Sequence, residues 1–207
     1  MKQLLLDIQP ASPPTLENFV AGRNSEVLHS LQQVLAGDSA VHAVYLWGDS
    51  GSGKSHLLQA CASRALALGL HLVCADDVHR LDEAAQIRLF DLYNQQRENG
   101  GLLIACGTAA PTHMNLRDDL ATRLAWGLVY QLQPLSDAEK ALALKSHAQA
   151  RGMRLPDEVV DYCLRHLRRD LPTLMATLDA LDEWSLTEQK PVTVPLLRKL
   201  LQFPLNV

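Results

Sequence analysis

Residues Gly48–Ser55 read GDSGSGKS, which fits the pattern G-x-x-x-x-G-K-[ST]. Gly48, Gly51 and Gly53, with Ser52 between the last two, allow a tight loop whose backbone N–H groups converge on phosphate oxygens. Lys54 supplies a point charge to the β- and γ-phosphates, and the Ser55 hydroxyl is suited to ligate Mg2+. The alternative, a glycine-rich turn with a chance lysine, loses to the context: an apolar run precedes the loop and a helical segment comes after it. A second acidic signal is HLVCADD, His71–Asp77, an apolar strand ending in carboxylates at the sheet edge where open α/β folds bind ligands. There Asp76 would hold Mg2+ through water and Asp77 would orient an attacking water, unless either serves as a helix N-cap. Thr108, just past the run LLIAC, is placed to reach a γ-phosphate or water, or simply to satisfy a local turn.

Two further features point outward. Arg123 stands near the end of a short helix, from which a guanidinium can project into a neighbour's nucleotide; on spacing alone, a solvated or salt-bridged arginine is the ordinary outcome. The segment QLLLDI, Gln3–Ile8, carries apolar side chains on a proline-bounded arm that cannot join a core. Such a segment is expected to seek a partner's pocket, or to add an edge strand to the protein's own sheet.

These residues need a scaffold, and the hydrophobic pattern supplies one. Strands are predicted at 44–47, 70–75, 102–106 and 128–132, and helices at 26–35, 55–68 and 81–98. Alternating strands and helices predict an α/β fold with a parallel sheet and helices on both faces. Beyond Pro134 the strand signal ends. Helices are expected at 136–150, capped by a Ser136/Glu139 box, and at 157–168, 171–186 and 194–201. The organisation expected is an arm at 1–14, a nucleotide-binding domain at 15–134 and an all-helical lid at 135–207.

Composition narrows the class. The chain has 207 residues, 47% hydrophobic and 20% charged, with a formal charge of −4. That is an ordinary globular composition, without the basic excess of a dedicated nucleic-acid binder, so no sequence-specific DNA contact is expected. The four cysteines show no metal spacing and are expected as buried thiols of a reducing compartment. No signal peptide or membrane-length apolar run is visible, so a cytoplasmic protein is expected.

Together the motifs resemble those of the AAA+ ATPases, and within them the DnaA-related proteins, which include small regulatory inactivators of DnaA, the Hda type. The resemblance implies ADP or ATP with Mg2+ as ligands. From it ENFVAGRN implies Phe19, Val20 and Asn24 beside the adenine. LATRLAWGLVYQLQPLSDAEK is similar to the arginine-finger box, making Arg123 a finger acting in trans. LRRDLPTLMATLDAL is similar to the sensor-2 helix, which would put Arg169 on the phosphates. QLLLDI looks like a motif for docking on the β sliding clamp, with Gln3, Leu4, Leu6 and Ile8 as its contacts. The resemblance therefore implies DnaA and the clamp as partners, and an activator of DnaA-bound ATP hydrolysis that prevents re-initiation of replication.

Two departures qualify the resemblance. Only about 20 residues separate Lys54 from Asp76, where the family fits a further strand and helix. The acidic strand is then expected at the rim of the sheet. An uncovered rim invites either pairing of two copies or an altered partner surface. Thr108 stands where relatives carry an acid, so intrinsic hydrolysis is expected to be weak or absent. A stand-alone AAA+ ATPase or helicase-loader-like motor is the rival reading, and a scaffold that no longer binds nucleotide is a third.

Overall fold

A computed structural model describes residues 13–37 and 41–202. These divide into two compact units, Pro13–Pro134 and the segment from Leu135 onward. Gln3, Leu4, Leu6 and Ile8 lie outside the described residues.

The first unit is built on four parallel strands: β1 (Ala43–Trp47), β2 (Leu72–Ala75), β3 (Leu102–Gly107) and β4 (Leu128–Gln131), in the order β2-β3-β1-β4. The two central strands are apolar runs buried on both faces, the signature of a parallel sheet covered by helices. Side chains alternate between two cores. Val44, Leu46, Leu102, Ile104 and Cys106 meet α1 (Ser25–Ala36) and α2 (Lys54–Leu68). Ala43, Tyr45, Leu103 and Ala105 meet α3 (Glu83–Glu98) and α4 (Asp118–Ala125) on the opposite face. β2 lies at the rim, as the short spacing from Lys54 to Asp76 predicts.

That rim position overturns one expectation. Cys61, Cys106 and Cys163 are buried free thiols, but Cys74 on β2 is exposed. Burial of a strand residue depends on a neighbour beside it, and among the described residues β2 has one neighbour only, β3.

The second unit holds α5 (Asp137–Ala150), α6 (Asp157–His166), α7 (Leu171–Glu188) and α8 (Val194–Gln202) around its own core of Leu144, Val159, Cys163, Leu174, Leu178 and Leu197. Its helix starts agree with the sequence. Ser136 and Glu139 form the reciprocal capping box of α5, and Asp170 caps α7 by accepting from the Thr173 amide at 2.9 Å. A polar clasp joins α5 to α7, with His147 Nε2 2.6 Å from Asp179 and Arg151 3.2 Å from Asp179 and 3.1 Å from Asp182. No helix among the described residues is long and apolar enough to cross a membrane.

Candidate nucleotide site and outward arginine

The loop between β1 and α2 sits where its composition requires. Gly48, Gly51 and Gly53 all have positive φ, at 146°, 78° and 98°. Two of them are also close approaches. A Cβ on Gly48 would lie 2.4 Å from the Leu132 carbonyl oxygen, and one on Gly53 would lie 2.7 Å from the Phe19 ring. Ser52 is buried in the loop and its amide donates to the Asp49 carbonyl at 3.3 Å.

Lys54 is buried, and its ammonium donates to the carbonyls of Gly48 and Asp49, both at 2.8 Å. It is thus pre-positioned inside the loop, its charge satisfied by the loop's own backbone. The N-terminus of α2 has no side-chain cap, so its first-turn amides remain available for an anion. Ser55 Oγ donates to Asp76 Oδ2 at 2.7 Å, and Asp76 Oδ1 accepts the Asp77 amide at 2.9 Å. The hydroxyl and carboxylate are a hard, all-oxygen pair of the kind that suits Mg2+. Loop, lysine, free helix amides and oxygen pair all fit a nucleotide phosphate with its magnesium.

The other expected residues fall into three groups. Phe19 is brought to the loop: it covers Gly53 and its ring centroid lies 5.5 Å from that of His56, whose Nε2 lies 3.0 Å from the Thr15 carbonyl. Val20 is half-buried beside it in sequence. Asn24 is buried, and both ends of its amide are engaged by the Gln133 backbone at 2.9 and 2.8 Å. Asn24 therefore ties this segment to the chain leaving β4, with one N–H and one lone pair of its amide engaged there.

Asp77 and Thr108 lie at the C-terminal ends of β2 and β3, the same edge from which the loop leaves β1. Asp77 takes a left-handed conformation, φ 49°, and its carboxylate lies 3.3 Å from Arg80. Asp77 stands at the N-cap position of a single 3-10 turn, Val78–Arg80, without a side-chain cap hydrogen bond; Asp82 does cap with its side chain, accepting the Ala85 amide at 2.7 Å and starting α3. Thr108 is exposed. Arg169 belongs to the second unit and precedes α7 rather than lying in it, with its guanidinium 3.8 Å from Asp137.

Arg123 occupies the opposite end of the sheet, in the last turn of α4, which leads into the start of β4. Its guanidinium lies 4.2 Å from the Trp126 ring centroid and 5.9 Å from those of Phe90 and Tyr93. Among the described residues it makes no ion pair. The nearby Arg117 differs: it forks onto Asp119 at 3.2 and 2.9 Å and also reaches Glu83 at 3.5 Å. Sequence reasoning misses this aromatic platform, whose signal is the i, i+3 spacing of Phe90 with Tyr93 and of Arg123 with Trp126.

Two segments of the chain match family models. The family model for the bacterial DnaA ATPase domain matches residues 12–71, and that for the Hda lid domain matches residues 137–201. Domain III of the replication initiation protein DnaA from Thermotoga maritima superposes with a TM-score of 0.74 at 22% identity, covering 96% of this chain and 100% of that one. AMPPCP-bound DnaA from Aquifex aeolicus gives 0.69 at 20% identity, over 86% and 70% of the two chains. RuvB from Thermotoga maritima gives 0.65 at 16%, over 92% and 72%. At such identities the superpositions establish the fold, and the two family models give it its lineage. The chain joins a segment that matches the bacterial DnaA ATPase domain to one that matches the Hda lid domain, on the fold of DnaA domain III.

Proposed function

We propose that this protein regulates replication initiation by promoting hydrolysis of ATP held by DnaA, with Arg123 entering the DnaA site from outside. One observation carries the reading: a guanidinium with no carboxylate partner among the described residues, held on three rings at the end of α4. A cation kept from internal pairing is ready for an external anion. When water attacks the γ-phosphorus of DnaA's ATP and the β–γ bridging oxygen leaves, Arg123 would neutralise the charge growing on those oxygens. Such a contribution is worth roughly 10³–10⁵ in rate for GTPases.

The protein's own site takes ADP or ATP in this reading. Lys54 and the α2 amides hold the phosphates, and Ser55 with Asp76 hold Mg2+, which screens phosphate charge when bound. Binding of the ATP analogue AMPPCP by the DnaA of Aquifex aeolicus supports this assignment. The motor reading draws less support, since Asp77 is paired with Arg80 and Thr108 offers no acid.

The deciding assay is turnover of DnaA-bound ATP with DNA-loaded clamp and this protein. Wild type should accelerate it and Arg123→Ala should not; equal rates overturn the assignment. Gln3, Leu4, Leu6 and Ile8 are proposed to dock on the clamp. Deleting residues 1–8 should abolish clamp retention on a sizing column while leaving nucleotide binding intact.

A further inference from the structure

Beside the outward arginine lies a second hollow, and Trp126 lines both. The first is lined by Arg123 together with Asp118 and Asp119. The second, about 370 Å³ in volume, has Val41, His42, Tyr93, Arg97, Trp126 and Leu128 in its lining and no acidic residue.

Local sequence builds this second hollow. On α3, Phe90, Tyr93 and Arg97 fall at i, i+3 and i+7, on one stripe. Arg97 therefore continues the stripe whose rings hold Arg123. Gly127 has no room for a side chain, since a Cβ there would collide with the Ala43 carbonyl. The chain leaving α4 is thus pinned against the start of β1, while Trp126 beside it stays 63% exposed. His42 Nδ1 lies 3.3 Å from the Gly101 carbonyl. A neutral ring that donates from Nδ1 keeps Nε2 as an acceptor. Arg97 is exposed and has no ion pair or hydrogen bond among the described residues, unlike Arg117 with its two carboxylates.

We propose that this hollow takes a carboxylate side chain of the protein whose nucleotide Arg123 meets, with Arg97 gripping the carboxylate and the rings of Trp126 and Tyr93 covering its stem. DnaA as that protein follows from the function proposed above. Charge complementarity selects the occupant. One guanidinium, no acid and a largely apolar wall suit a single anion on an apolar stem, and a guanidinium fork matches a carboxylate with two parallel N–H bonds. A nucleic-acid backbone would call for a row of cations, and Arg97 is the one formal cation of this lining. His42 Nε2 accepts an N–H of the same segment. Arg97 is a docking residue: it fixes how the partner sits, and Arg123 meets the phosphates.

The test uses the full chain with DnaA, ATP and DNA-loaded clamp. Arg97→Glu should raise the concentration needed for half-maximal stimulation of turnover by about tenfold or more, with the rate at saturation unchanged. Arg88→Glu makes the same charge change at an exposed position of α3 off the stripe, and should leave half-saturation as it is. Among DnaA variants with single surface Asp or Glu residues around the nucleotide changed to Lys, one should restore the affinity of Arg97→Glu. The proposal is overturned if Arg97→Glu half-saturates like wild type, if Arg88→Glu is equally impaired, or if no lysine variant restores binding. Weaker binding of Arg97→Glu to the DNA-loaded clamp without DnaA would assign the anion to nucleic acid and overturn it too. The function proposed above fails separately, when Arg123→Ala stimulates as well as wild type. Affinity for DnaA loaded with AMPPCP then decides the hollow alone: weakened by Arg97→Glu it stands, and unchanged it falls.

Discussion

The two ends of the sheet treat a positive charge in opposite ways. At the end where the strands finish, Lys54 is buried and its ammonium is bound by two carbonyls of its own loop. At the end where they begin, Arg123 is half-exposed and rests on rings that offer no formal counter-charge. A buried ammonium must be satisfied internally until a ligand arrives, because an unpaired buried charge is strongly disfavoured. A guanidinium on an aromatic platform can stay unpaired near solvent, since the ring faces attract it without neutralising it. The first arrangement suits an anion received into the protein, and the second, in the function proposed above, a cation presented to an anion held elsewhere.

The sharpest way to break this contrast is to remove each charge and ask which nucleotide notices. Arg123→Ala should lower the stimulated turnover of DnaA-bound ATP by roughly 10³–10⁵ while leaving this protein's own nucleotide affinity unchanged. Arg123→Lys should recover little, because an ammonium lacks the planar fork that grips two phosphate oxygens. Lys54→Ala should do the reverse at the first level of measurement. Wild type at a ligand concentration 100 times its dissociation constant gains about 2.7 kcal/mol from ADP, seen as a raised unfolding midpoint. The variant should lose that gain. A variant that keeps the full ADP shift would show that the loop's lysine is not a phosphate ligand.

The two ends are unequally legible in the sequence for a physical reason. The loop's chemistry is encoded in eight consecutive residues, so its glycines, lysine and serine announce the geometry without help from the rest of the chain. The capping box and the four strands are readable for the same reason, being local in sequence. Arg123's surroundings are not. Phe90 and Tyr93 lie on α3, and only the packing of α3 against α4 brings them to the arginine. Asn24 shows the same limit. Its amide is tied to the Gln133 backbone, more than a hundred positions along the chain, a pairing that no local pattern announces. Cys74 departs from the burial expected of it because its exposure depends on a second neighbouring strand, and among the described residues β2 has only β3 beside it.

A subtler change tests whether the platform matters or only the charge. Trp126 is 63% exposed although it is a large aromatic residue, and it makes the nearest ring contact to Arg123. Trp126→Ala leaves the guanidinium in place but lets it wander. An exposed cation–π contact is worth about 0.5–1 kcal/mol, so the stimulated rate should fall about two- to fivefold. Trp126→Phe, which keeps a ring face, should restore most of it. If alanine and phenylalanine behave alike, the platform does not position the arginine.

The smallest effect is expected beside the same helix, at the arginine that is tied down. Arg117's fork onto Asp119, aided by the Leu120 amide at 2.8 Å, holds the Asp119 carboxyl below the usual carboxylate range. A carboxylate whose pKa is lowered on folding contributes stability above its unfolded value, about 3.9, and loses it as the pH falls through the folded value. Asp119→Asn should therefore lower the unfolding midpoint slightly and by a constant amount across neutral pH. The two curves should converge only below about pH 4. Because the pair is solvent-exposed, the gap should also shrink in high salt. The same variant loosens Arg117, leaving it only Glu83 as an ion-pair partner, without touching Arg123. Stimulated turnover should stay at the wild-type level, whereas a fall comparable to that of Arg123→Ala would mean that the tethered arginine had been taken for a bystander.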